Sequence, residues 1–125
     1  MLSTGMPGDN YSDIWGSSGD HIFAVGYSGK ISHYDGSTWS DMEIPTTRPI
    51  FSISGTSGGD AFAVGDFGMI FRYGGGRWQS MESRCEDSLY GVHAVGRHVF
   101  AVGWDAAILH YARPVLNGPM LLLLQ

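Results

Sequence analysis

Cysteine occurs once in the 125 residues, at Cys85, so no internal disulfide can form and the fold has to rest on its core. A lone thiol fits a reducing compartment, and with no signal-peptide pattern at the start the chain is expected to be cytoplasmic. Charge is sparse: 15% of residues are charged, the seven Lys and Arg are scattered, and the formal net charge is -5. Binding along a phosphate backbone needs clustered basic residues, so nucleic acid is excluded as a partner class. Long apolar runs are missing too. The tail from Met120 to Leu124 is far short of the roughly 20 residues that cross a bilayer, so no membrane insertion is expected. No stretch keeps an apolar period of 3.6 long enough for an ordinary helix, so the chain is expected to be all-β.

Glycine, by contrast, is abundant, with 19 residues, and one phrase returns three times. Phe23-Ala24-Val25-Gly26, Phe62-Ala63-Val64-Gly65 and Phe100-Ala101-Val102-Gly103 are spaced 39 residues (23 to 62) and then 38 (62 to 100). A period near 40 with strand-like content is the signature of propeller blades or similar arrays. Each copy runs on to a Tyr (Tyr34, Tyr73, Tyr111), and two copies then pass through a Gly-bearing turn to Trp39 or Trp78. The third copy has Leu116 where that Trp would fall.

One copy reads as four short strands, Asp13 to Gly16, His21 to Gly26, Lys30 to Tyr34 and Thr38 to Ile44, which make an antiparallel meander. Gly29 and Gly68 sit at equivalent points of the second hairpin, where positive φ is needed. Ala106 replaces them in the third copy, so that turn is expected to differ.

The first copy, Ile14-Trp15-Gly16-Ser17-Ser18 through Phe23-Ala24-Val25-Gly26 to His33-Tyr34-Asp35-Gly36-Ser37-Thr38-Trp39, resembles bacterial β-propeller repeats. Those are written Val-Trp-Gly-x-Ser, Phe-Ala-Val-Gly and His-Tyr-Asp-Gly-Ser-x-Trp. The second and third copies depart from the pattern at Ser54 and His93, which stand where the first has Trp15. The resemblance implies fold and says little about activity, since propellers host lectins, hydrolases and scaffolds alike.

The expected organisation is an N-terminal segment (1–12), blade 1 (13–48), blade 2 (49–87) and blade 3 (88–125) with an atypical hydrophobic tail. Propellers close with four to eight blades, so three would leave two blade faces bare. Homodimerisation into a six-bladed ring is the expected remedy, with a nine-bladed trimer as its alternative. The outermost strand of blade 3 is expected from either Met1-Leu2-Ser3-Thr4 or the tail from Leu116 to Gln125.

Two surfaces are candidates for chemistry. Tyr27, Asp66 and Trp104 occupy equivalent hairpin tips, with Asp105 beside the last, and aromatics next to carboxylates suit a small polar ligand such as a glycan. On the opposite face, His21, Asp60 and His98 stand three residues before the repeated Ala, and His93 faces His98 across a hairpin as an expected cross-strand pair. With a divalent metal, these four would make a hydrolase of phosphoester or lactone type. His33 and His110, with Arg72 in register between them, read as packing elements. A truncated propeller fragment with no activity of its own is the third alternative.

Overall fold

The computed structural model describes residues 10–42, 44–57 and 59–112, and the backbone of 121–124. Three antiparallel meanders of four strands each account for nearly all of it. The first comprises β1 (Tyr11–Ser18), β2 (His21–Gly26), β3 (Ile31–Tyr34) and β4 (Trp39–Met42). The second holds β5 (Ile50–Gly55), β6 (Ala61–Gly65), β7 (Ile70–Gly74) and β8 (Arg77–Met81). The third holds β9 (Leu89–Val95), β10 (His98–Gly103), β11 (Ile108–Ala112) and β12 (Leu121–Leu124). Among the described residues helix is confined to single 3-10 turns at Tyr27–Gly29 and Asp66–Gly68.

β1 begins two residues before the expected blade boundary, because Tyr11 pairs with Gly26 and a bulge follows at Ser12. The equivalent residues Phe51 and Tyr90 are bulged in β5 and β9 as well. β12 pairs with β11, Tyr111 opposite Leu121 and Ile108 opposite Leu124, so the tail supplies the outer strand of blade 3. The competing segment, Met1 to Thr4, lies outside the described residues, as do Gly118 and Pro119 of the tail.

Alternation along the strands gives each blade two faces. One carries Phe23, Val25 and Ile31 or their counterparts; the other carries Ala24 and Ile14 or theirs. The first face of blade 1 packs on the second face of blade 2, placing Phe23, Val25 and Ile31 against Ile53, Ala61, Ala63, Phe71 and Trp78. Blade 2 repeats the arrangement on blade 3, with Phe62, Val64 and Ile70 against Val99, Ala101, Leu109 and Tyr111. Small Ala residues on one side leave room for the Phe rings of the other, so the phrase Phe-Ala-Val-Gly encodes both halves of a seam. Side chains of each inner strand also hydrogen-bond to the backbone of the next. Asp13 Oδ2 accepts from the Ile53 N–H at 2.9 Å, and Ser54 Oγ from the Ala94 N–H at 2.9 Å.

The turn containing Ala106 differs from its counterparts in not being a 3-10 turn, but it keeps their dihedrals. Asp105 and Ala106 have φ of 58° and 60°, beside 63° and 71° for Ser28 and Gly29. The closing bond is also kept, Ala107 N–H to Trp104 O at 3.1 Å in place of Lys30 N–H to Tyr27 O at 3.3 Å. The surroundings differ as well. A Cβ at Gly29 or Gly68 would fall on the carbonyl oxygen of Thr46 or Cys85, in the connections to the following blades. No such connection crosses Ala106 among the described residues, so a methyl group fits there.

Candidate functional site

The meander places the β2–β3, β6–β7 and β10–β11 tips at one end of the blades, together with the connections between blades. Each tip is tied to the residue before its own inner strand: Tyr27 N–H donates to Asn10 O, Asp66 N–H to Pro49 O and Trp104 N–H to Ser88 O, all at 3.1 Å. Tyr27, Asp66 and Trp104 therefore do share one end, as the repeat implies. Their roles diverge. Asp66 is committed to structure, since its carboxylate accepts from Ser88 Oγ at 2.8 Å and from Arg48 at 3.4 Å, clamping blade 2 to the start of blade 3. Tyr27 is exposed, with no ring contact or hydrogen bond to the other two. Trp104 is 64% exposed and meets Tyr90 edge-on at 5.0 Å, and Tyr90 lies 6.3 Å from Phe51.

Sequence reading misses Phe51 and Tyr90 because each is the second residue of its strand, at a bulge that strand composition does not mark. A bulge adds one residue opposite none and re-aims its side chain, and these two are the bulged residues of their strands. Phe67, beside Asp66, was missed as well. It is exposed at φ 55°, and the Arg48 guanidinium lies 4.1 Å from its ring centre. Together with Met69 and Phe71 they line a shallow hollow of about 380 Å³ between blades 1 and 2.

At the opposite end, the four candidate metal ligands are not gathered. His21 Nδ1 bonds His33 Nε2 at 2.9 Å and its Nε2 bonds the Gly59 carbonyl at 3.0 Å. Asp60 pairs with Arg72 at 3.4 Å, and His98 Nδ1 bonds His110 Nε2 at 2.9 Å. His93 stands opposite Phe100, and it is Val95 that faces His98, because the turn is the two-residue Gly96-Arg97. Among the described residues no group of three or more His, Cys, Asp or Glu is placed to hold a metal ion. His33 and His110, read from sequence as mere packing, are thus the partners of two proposed ligands. The clue lay in the repeat itself. The pair reads His-His, Asp-Arg, His-His in successive copies, so both members change together.

Partial burial and the neighbouring His21 push the His33 imidazole below its ordinary range, with Asp35 opposing weakly. The neutral ring therefore stabilises the fold: that contribution is complete above about pH 6.5, the unfolded value, and is lost as the pH falls from there toward the lowered folded value. The unfolding midpoint should drop between pH 7.5 and 5.5, where histidine alone titrates, and His33→Gln should flatten the drop. Thermal scans across that range check it, and a wild-type midpoint that holds constant would contradict it.

The sequence matches no protein-family model, and no curated protein resembles it closely enough to count as a relative. Among solved structures, YCF48 from Cyanidioschyzon merolae superposes with a TM-score of 0.72 at 19% identity over 90% of this chain. A structure of YCF48 bound to D1 peptide superposes with a TM-score of 0.70 at 16% identity, again over 90%. The chain spans 40% of the length of each. At such low identity the likeness concerns fold alone. With three four-stranded blades packed through one repeated seam, the chain has a β-propeller fold.

Proposed function

We propose that this chain is a binding propeller that self-associates to complete its ring and holds an extended peptide segment of another protein at the end bearing the hairpin tips. The observation that carries the reading is the aromatic group of Trp104, Tyr90 and Phe51, two of them set by bulges and one projecting into solvent. Exposed aromatics on a rigid scaffold give large contact area at small entropic cost, and they dominate the energetics of protein recognition. The structural neighbour bound to a peptide lends support by analogy of fold. Asp105, exposed beside Trp104, would accept hydrogen bonds from the ligand, and Tyr27 would extend the surface onto blade 1.

A small polar ligand such as a glycan is the second reading, favoured by the pairing of Trp104 with Asp105, since a sugar stacks on a ring while its hydroxyls meet a carboxylate. The metal-dependent hydrolase has less support, because His21, His98 and Asp60 each satisfy a partner in their own blade. Screening against a phage-displayed peptide library and a glycan array separates the readings. Peptide capture is expected, and Trp104→Ala should weaken it at least about tenfold, the loss of a single interfacial anchor. Capture of glycans alone would favour the second reading, and a blank on both arrays with folded protein would sink both.

A further inference from the structure

Among the described residues, the Phe-bearing face of a blade is sealed twice and partly open once. Phe23 and Phe62 are both 0% exposed, whereas Phe100 is 38% exposed. Val25 and Val64 are 0% exposed, and Val102 is 46%; Ile31 and Ile70 are 0% and 4%, and Ile108 is 42%. The complementary face shows the converse at the other end of the array. Ile53 is 4% exposed in blade 2, and its counterpart Ile14 in blade 1 is 60% exposed, while Ala24 and Ser32 beside it are 7% and 1% exposed, so the open part of that face lies around Ile14. The same residue types thus form two sealed seams inside the chain and leave a partly open half at each end, around Phe100, Val102 and Ile108 in blade 3 and around Ile14 in blade 1.

We propose that blade 3 of one copy docks its Phe100, Val102 and Ile108 face onto the Ile14 and Ala24 face of blade 1 in a second copy. This deepens the self-association reading above and rests on it. The argument for a second copy as occupant is continuity: blade 1 retains most of what the Phe face packs against elsewhere. Ile22, Ala24, Tyr34 and Trp39 stand at the positions of Ala61, Ala63, Tyr73 and Trp78. The polar residues on that face, Ser32 in the place of Phe71 and Asp41 in the place of Ser80, are already satisfied. Ser32 Oγ bonds Asp41 at 3.1 Å and Tyr11 Oη at 3.0 Å, and Lys30 Nζ donates to Asp41 at 2.7 Å.

The histidine pair gives the seam a polar register. In the first seam His21 joins its own blade through His33 and reaches the next blade through the Gly59 carbonyl. His98 and His110 repeat the first half of that device at the same 2.9 Å. The residue of blade 1 equivalent to Gly59, 39 positions earlier (59 less 39), is Asp20. His98 Nε2 is then the donor to Asp20 of the second copy. Two copies make two such seams around one axis, a closed arrangement in which every Phe face meets an Ala face.

The contact is heterologous, which supplies the test. Val102→Asp disables the Phe face and Ile14→Asp the opposing one, and both side chains are already exposed, so the chain's own core is untouched. By sedimentation velocity each variant alone should lose the dimer and keep a wild-type circular dichroism spectrum. Mixed in equal amounts at raised concentration, they should regain a dimer through the one intact seam. A variant that misfolds is replaced by Val102→Ser or Ile14→Ser. A mixture that stays monomeric, or a dimer that survives Ile14→Asp while Val102→Asp dissolves it, overturns the seam and leaves self-association standing. A monomeric wild-type chain overturns both.

Discussion

Phe23→Ala and Phe62→Ala are expected to lower the unfolding free energy by about 3–5 kcal/mol each, the cost of truncating a buried Phe and leaving a cavity. Phe100→Ala, in the same four-residue phrase, is expected to cost the isolated chain no more than about 1 kcal/mol, as for a surface-accessible position. The physical difference is what lies opposite. Phe23 meets the rings of Tyr73 and Trp78 at 4.7 and 5.1 Å, and Phe62 meets Tyr111 at 5.9 Å. Among the described residues Phe100 stacks on the rings of His110 and His98, both of its own blade. Because a domain of this size holds roughly 5–15 kcal/mol in total, the first two changes should bring it close to unfolding at room temperature. Urea titrations at low protein concentration check the contrast. Equal losses at all three positions would mean that blade 3 carries a covered face after all.

Gly68→Ala has the second large effect. Its φ of 70° lies in the left-handed region, which costs a residue with a Cβ about 1–2 kcal/mol, and the added methyl would collide with the Cys85 carbonyl besides. A loss above about 2 kcal/mol is expected, since neither a tight turn nor a backbone carbonyl yields cheaply. Ala106→Gly is the mirror experiment: it removes the same backbone penalty where nothing collides, and should stabilise by about 1 kcal/mol. Thermal unfolding of the two variants beside wild type measures both. A neutral Gly68→Ala would show that the hairpin does not press on the connection to blade 3.

These expectations rest on a repeat that was readable in advance, because the physics of a seam is written into one phrase. An apolar ring, a small residue, a β-branched residue and a turn glycine follow one another, and the strand period sends alternate members to opposite faces. The blade count, the meander and the near absence of helix came from that pattern. The outer strand of blade 3 did not, since both termini carry short apolar stretches and only pairing decides between them; β12 pairs with β11. The turn at Ala106 departs from its counterparts less than residue identity suggests: it is not a 3-10 turn, but neighbouring bonds hold the same dihedrals. Pairing His93 with His98 takes the hairpin loop as four residues, whereas it has two and sets His93 opposite Phe100. The Trp104, Tyr90 and Phe51 group was half visible: Trp104 stood out as a hairpin tip, but a bulge leaves no mark in a strand of ordinary composition.

The most direct test of the account as a whole is a native mass spectrum of the wild-type chain. Two copies per particle, at twice the mass of the chain, are predicted, because the Phe face of blade 3 and the Ile14 face of blade 1 each need a cover. A particle holding a single copy at the concentrations where the variants are compared would contradict it.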